Sequence, residues 1–176
     1  METKSNFVLH TLHVIFWIIF IGLCINAGTL LVTFGLRFFW DTEGTRLMVL
    51  NPDLGHLFLE NKNHYIGMMS FQIFITALKA YLAYLVLKIF ADFNLERPFH
   101  HHMTSIITKI SYTALEIAIL SIIAEGYTKW LINRSVNIPA MEWGSQEFLF
   151  LAGIIYILSL VFKKGVDLQS DNELTV

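Results

Sequence analysis

Two ionisable side chains lie in the middle of long apolar stretches of this sequence. Lys79 falls inside the run from 67 to 91, and Glu116 falls inside the run from 106 to 132. On insertion scales a charge at the centre of a bilayer costs about 2.5 to 3.5 kcal/mol, so such a residue normally has a partner or a function. The pair predicts either an internal salt bridge that fixes the register of two helices, or a site for a ligand, a proton or an ion.

Helical spacing extends this pair into a predicted polar cluster. Gln72 and Thr76 share a helix face with Lys79, and the first and last apolar runs also carry polar residues at helical spacing. Because polar groups that face lipid have no partner there, we expect these faces to meet in the interior. We interpret the cluster as structural, with ligand binding near the midplane as the alternative. It comprises Lys79, Glu116, Asn26, Gln72, Thr76, Tyr112 and Tyr156.

The elements that carry these residues are predicted to be membrane spans. Of the 176 residues, 55% are hydrophobic and only 15% are charged, and the mean hydropathy is +0.58. A soluble domain is about one quarter charged. Four apolar segments reach the roughly 20 residues that a bilayer requires, and they cover about 9 to 36, 67 to 91, 106 to 132 and 146 to 162. The expected fold is a single all-α membrane domain over residues 1–176, a four-transmembrane-helix bundle.

The second and third spans are expected to be antiparallel neighbours. The connection between them contains Pro98 and is too short to allow another arrangement. The third span also carries small residues at helical spacing, which permit close contact between helices. These small residues are Ser111, Ala114, Ala118 and Ser121.

The connection between the first two spans is predicted to form a small extracytoplasmic β-hairpin. Residues 46–50 and 56–60 are typical of strands, and the intervening 51–55, with Pro52 and Gly55, is typical of a turn. Residues 136–138 are expected to add a short strand, because an isolated hairpin is marginal in water. The alternative is an irregular loop with interfacial leucines.

An even number of spans places both termini on one side of the membrane. A slight excess of lysine and arginine assigns that side to the cytoplasm. Aromatic residues are expected at the opposite interface, where amphipathic rings favour the headgroups. They are Trp40, Tyr65, Tyr127, Trp130 and Trp143.

Histidines are the other candidate chemistry. Imidazoles suit zinc, copper, iron or haem, and five histidines are predicted to share the cytoplasmic side. Their spacing is not that of a known metal motif, so we expect no metal and no cofactor, with ligation by these histidines as the alternative. They are His10, His13, His100, His101 and His102.

Several function classes are not supported by the sequence. It contains no P-loop, no dinucleotide-binding glycine motif, no nucleophile elbow and no metalloprotease helix. The net charge of -2 and the lack of a basic stripe give no indication of direct nucleic-acid binding. We therefore expect a protein that is not an enzyme.

The segment after the last span carries a family resemblance. Phe162-Lys163-Lys164-Gly165 and the residues from there to Val176 resemble the closing signature of the YoaS-like family, small bacterial four-span membrane proteins of unknown function. Arg97-Pro98-Phe99 is similar to the family's Asn-Pro-Phe element, with Arg97 in place of Asn and three histidines where charged residues are usual. The resemblance covers the whole topology, and the tail is its specific part. It implies a bacterial cytoplasmic membrane, both termini in the cytoplasm, and a small helix-turn-helix regulator as partner, because members tend to be encoded beside one.

The cytoplasmic tail, residues 163–176, is the predicted partner-binding surface. We interpret the protein as regulatory or sensory, acting on a soluble partner through this tail and the inner loop. The alternatives are a tail that merely extends the last helix, and a small transporter or ligand-binding bundle that uses the polar cluster. Homo-oligomerisation, the signal and the substrate stay open. The expected contact residues are Lys163, Lys164, Gly165, Leu168, Asn172, Leu174 and Thr175.

Overall fold

The described part of the chain is helical and contains no strand. The computed structural model describes residues 2–40, 54–92, 100–136, 138–139 and 141–173. The five helices are α1 (Glu2–Trp40), α2 (Gly55–Glu60), α3 (Lys62–Asp92), α4 (His101–Asn133) and α5 (Ser145–Glu173).

Four of these helices are long and apolar enough to cross a membrane, as predicted. The candidate spans are Phe7–Phe39, Lys62–Asp92, His101–Asn133 and Ser145–Gln169. At 1.5 Å per residue even the shortest is about 37 Å long, which exceeds a hydrocarbon core of roughly 30 Å. The fold is therefore that of a multi-pass membrane protein. We call the side with the N-terminal end of α1 and the C-terminal end of α5 the terminal side, and the side with α2 the loop side.

The helices pack in a row rather than in a closed ring. α1 packs against α3, α3 against α4, and α4 against α5, while α2 packs on α3. Within the described residues, α1 makes no backbone contact with α4 or α5. Half of the most apolar window of α4 is buried, against 6% for α1. α4 is thus the central helix, and α1 and α5 have wide exposed faces.

Small side chains and two end contacts fix the position of α4. The predicted small-residue face is buried, and the Ser111 hydroxyl donates a hydrogen bond to the carbonyl of Ala152 on α5 (3.0 Å). Against α3, the His64 and Tyr127 side chains are hydrogen-bonded (2.8 Å) on the loop side. His102 lies 3.0 Å from Asp92 on the terminal side. α3 and α4 are therefore antiparallel neighbours, as expected.

Trp143, just before α5, lies back along α4. The Ser121 hydroxyl donates to the carbonyl of Trp143 (3.1 Å), and the Trp143 indole donates to the Thr128 hydroxyl (3.2 Å). Ser121 precedes Asn133, the end of α4, by about 18 Å along the helix axis. α5 therefore begins level with the middle of α4. Trp143 is buried, at 5% exposure, and its position at a membrane interface stays a prediction.

The loop-side cap consists of Leu54, α2, the first turns of α3, the last turns of α4 and Trp143. Leu54, Leu57 and Phe58 are buried there against α3. Asn61 caps α3, because its side-chain oxygen accepts hydrogen bonds from the backbone of Asn63 and His64. This cap contains most of the larger of the two apolar core clusters.

The predicted hairpin is corrected where the structure describes it. Residues 56–60 form part of the helix α2 rather than a strand. The physical reason is the burial pattern: Leu57 and Phe58 are adjacent and both buried, whereas a strand would place them on opposite faces. The first predicted strand, 46–50, lies outside the described residues, as does Asn137 of the expected third strand. Val136 and Ile138 pack against the core of the cap without forming a strand.

Candidate functional sites

Lys79 points toward the start of α5. It is half-buried on α3, and its ammonium nitrogen lies 5.2 Å from the centroid of the Phe148 ring. The electron-rich face of an aromatic ring attracts a cation. The neighbouring Glu147 carboxylate also acts on Lys79 electrostatically. Sequence analysis missed Glu147, although an acidic residue at the start of an apolar run was a visible signal.

Glu116 lies at the depth of Lys79 but on another face. Counting along both helices from the His64–Tyr127 and Asp92–His102 contacts places Lys79 level with residues 112–115 of α4. Yet Glu116 is exposed, and no salt bridge joins it to Lys79 in the part of the chain that the structure describes. The expected inward direction of Glu116 is thus corrected. The opposite face of α4, with its small residues, takes the buried position because it allows the closest approach of α5.

The other members of the predicted cluster divide between two surfaces. Thr76 is buried on α3, and Gln72 and Asn26 are half-buried and each make an interaction. Tyr112 and Tyr156, in contrast, are 54% and 44% exposed on α4 and α5. The structure therefore places part of the cluster in the interior and part on the outer face of α4 and α5.

The histidines are distributed along the terminal side. His13 stacks on Phe90 (centroids 5.7 Å apart) and accepts a hydrogen bond from the Trp17 indole (3.1 Å). His102 pairs with Asp92, and His100 is the first residue before α4. Among the described residues, no group of three or more His, Cys, Asp or Glu side chains could hold a metal ion. His10 is exposed on α1.

The predicted tail is a continuation of α5 as far as it is described. Lys163 and Lys164 are exposed, Gly165 is half-buried and Val166 is buried at 5% exposure. Leu168 is 53% exposed. Asn172 lies in the last turn of α5, and Leu174 and Thr175 lie outside the described residues.

A groove of about 420 Å³ separates α4 and α5 on the terminal side. Its lining comes from both helices and includes two lysines, although most of the exposed lining surface is apolar. Sequence analysis missed the groove, because its residues are more than 50 positions apart in the chain and the level of α5 against α4 was unknown. The groove is lined by His101, Thr104, Ser105, Thr108, Lys109, Tyr112, Lys163 and Asp167.

The fold and these sites define a multi-pass helical membrane protein with a packed loop side and a polar terminal side. Comparison of the chain with protein-family models, with curated proteins and with solved structures finds no match.

Proposed function

We propose that this chain is a non-enzymatic regulatory or sensory membrane protein that acts on a soluble partner through its terminal side. The supporting observation is the end of α5, which remains helical beyond its apolar run and carries the exposed Leu168 next to the basic Lys163 and Lys164. An exposed leucine beside charged groups, at a helix end outside the hydrocarbon, is suited to contact another protein.

The geometry of α5 supports this role. Asp167 lines the groove together with His101, the first residue of α4, so α5 passes the end of its neighbour at this level. Glu173 lies about 9 Å further along the helix axis. The buried Val166 fixes the base of this projection against the bundle. A soluble protein can therefore reach the last turns of α5 from the side.

The class of partner follows from the resemblance of the tail to the YoaS-like family. We propose a small helix-turn-helix regulator, which would be held at the membrane by α5. This chain itself then makes no contact with nucleic acid. The cytoplasmic position of both termini, in a bacterial membrane, is part of the same proposal.

The test is co-purification of a small helix-turn-helix regulator, the partner that the resemblance implies, with the full-length protein in detergent. Leu168→Glu should abolish recovery of the regulator, because a charge replaces the apolar contact. Leu160→Ala is the matched control, since Leu160 is equally exposed on α5 but lies within the apolar run. The proposal would be refuted if Leu168→Glu and a chain that ends at Asp167 both recover as much regulator as the unaltered protein does.

A second candidate function is ligand or ion binding near the midplane, and Lys79 is the observation that favours it. Its half-buried ammonium group has an aromatic ring and an acid nearby, but no salt bridge joins it to another described residue. Lys79→Met should then abolish uptake or binding of the substrate while the amount of folded protein in the membrane stays unchanged. Loss of folded protein in the same proportion would instead assign Lys79 a structural role.

Self-association is a related proposal, supported by the exposed carboxyl group of Glu116 at mid-membrane depth. An ionisable group in hydrocarbon is costly without a partner. Cross-linking in membranes should capture a dimer that Glu116→Leu changes in amount. An unchanged monomer in both cases would remove the proposal.

A further inference from the structure

We propose that the groove between α4 and α5 binds a phosphate group, carried by an anionic phospholipid or by a soluble phosphate compound. The proposal does not rest on the docking of a protein partner. The supporting feature is an open groove of about 420 Å³ on the terminal side, lined by two lysines and several hydroxyl-bearing side chains, to which lipid headgroups and soluble anions both have access.

The charge of the groove lining favours an anion. Lys109 comes from α4 and Lys163 from α5, and both side chains line the same groove. Neither forms a salt bridge with another described residue. Asp167 is the one acidic side chain in the lining, and it already makes another interaction. The formal charge of the lining is therefore positive before any proton is added to His101.

The groove lining also supplies hydrogen-bond donors. Thr104 and Thr108 donate their hydroxyl hydrogens to backbone carbonyls one turn earlier, at 3.4 and 2.8 Å. Ser105 and Tyr112 make no such bond within the described residues, so their hydroxyl groups can donate to a ligand. Phosphate oxygens accept charge-assisted hydrogen bonds from ammonium and hydroxyl groups, and the groove supplies two of each.

The orientation of α4 also favours an anion in the groove. The groove includes His101 and Thr104 in the first turn of this helix, and the preceding His100 makes no side-chain cap. The first backbone N–H groups of a helix have no intrahelical acceptor, and that end of the helix carries a partial positive charge. The end of α4 thus adds to the attraction that the two lysines exert on an anion.

The positive charge of the lining favours a headgroup with a net negative charge over a zwitterionic headgroup. The lining extends from the first residue of α4 to Tyr112, about 16 Å along the helix axis, and so reaches from the helix end into the apolar stretch. A choline group would meet the positive lining, whereas the glycerol of phosphatidylglycerol is neutral. Simple contact of long lysine side chains with any headgroup is the competing explanation.

The test measures lipid that stays bound to the full-length protein by native mass spectrometry. Protein from vesicles of phosphatidylcholine and phosphatidylglycerol should retain phosphatidylglycerol in preference. The Lys109→Gln, Lys163→Gln double variant should lose this preference by roughly tenfold or more, since hydrogen bonds to charged groups are among the stronger ones. Lys164→Gln is the matched control, because Lys164 is the next residue, loses the same charge and does not line the groove.

The arms of the experiment separate the two sources of phosphate. If glycerol phosphate added to the solution displaces the lipid, the site accepts soluble phosphate compounds, and if only lipid competes, the ligand is a phospholipid. The Lys109→Arg, Lys163→Arg variant should retain the preference, which shows that the loss in the glutamine variant is not a loss of fold. An equal effect of Lys164→Gln, or no preference in the unaltered protein, would overturn the proposal. Leu168→Glu should leave lipid retention unchanged, so failure of the partner proposal stays distinguishable.

Discussion

The two ends of this helical row differ in how their polar groups are used. In the loop-side cap, the polar side chains of His64, Tyr127, Thr128 and Trp143 hydrogen-bond to one another across elements, inside the larger apolar core. On the terminal side lies the smaller apolar core cluster, and among the described residues neither Lys109 nor Lys163, which line the groove, forms a salt bridge. The polar groups of the loop side therefore support the fold, whereas these two lysines remain accessible at the groove.

The largest expected effect is at the centre of the cap. Trp143→Ala removes a buried ring and its hydrogen bond to Thr128, and we expect a loss of about 3 to 5 kcal/mol in the free energy of unfolding. Thermal unfolding in detergent, followed by size-exclusion chromatography, measures this loss. Trp17→Ala is the control, because Trp17 is 47% exposed and lies on α1 outside the cap, with its ring against Phe20. Equal losses for the two variants would show that the cap is not the stabilising end.

A smaller effect is expected where Gly67 of α3 faces the side chain of Tyr127 on α4. A Cβ atom at Gly67 would lie 3.3 Å from the Tyr127 hydroxyl oxygen, so Gly67→Ala should destabilise by about 1 to 3 kcal/mol through overpacking. Gly126→Ala is the matched control, since no atom lies within 4 Å of its added Cβ. Alanine there should stabilise by about 1 kcal/mol through helix propensity. The same unfolding assay gives both values, and opposite signs are the expected outcome.

The hydrogen bond between His64 and Tyr127 should contribute less. Tyr127→Phe leaves the ring in place and removes the hydroxyl that lies 2.8 Å from His64, at an expected cost of about 1 kcal/mol. A double-mutant cycle with His64→Ala isolates the interaction of the two side chains. A coupling energy of zero would contradict the assigned register of α3 and α4 on the loop side.

The smallest stability effect is expected on the terminal side. Lys109→Gln and Leu168→Glu replace exposed side chains, so each should change the free energy of unfolding by less than about 0.5 kcal/mol. The difference between the two sides is supported if these variants unfold like the unaltered protein but lose their ligand or partner. A loss as large as that of Trp143→Ala would instead assign the terminal side to folding.

The spans and the packing of the central helix against α3 could be predicted from the sequence. Span length, the short connection before α4 and the small residues of α4 have direct physical consequences, and the structure agrees with each. The direction of Glu116 could not be predicted, because helical periodicity defines which residues share a face but not which face meets a neighbour. α4 has a small-residue face and a charged face, and close packing decided between them.

The position of α5 along the axis of α4 also could not be predicted from the sequence. It depends on where Trp143 lies along α4, and no local pattern reveals that Trp143 reaches Ser121. The groove and the pairing of Lys79 with Phe148 both follow from this level. The helix α2 was missed for a related reason, since burial against α3 decides the conformation of so short a segment.

The most direct test of the contrast between the two ends is hydrogen exchange of the full-length protein in nanodiscs. Amide exchange is measured with phosphatidylcholine alone and with added phosphatidylglycerol. Amide exchange should be slower in residues 101–109 and 163–169 when phosphatidylglycerol is present, and the exchange of residues 57–69 and 124–131 should not change. Equal exchange in both lipids throughout, or protection confined to the loop-side cap, would contradict this expectation.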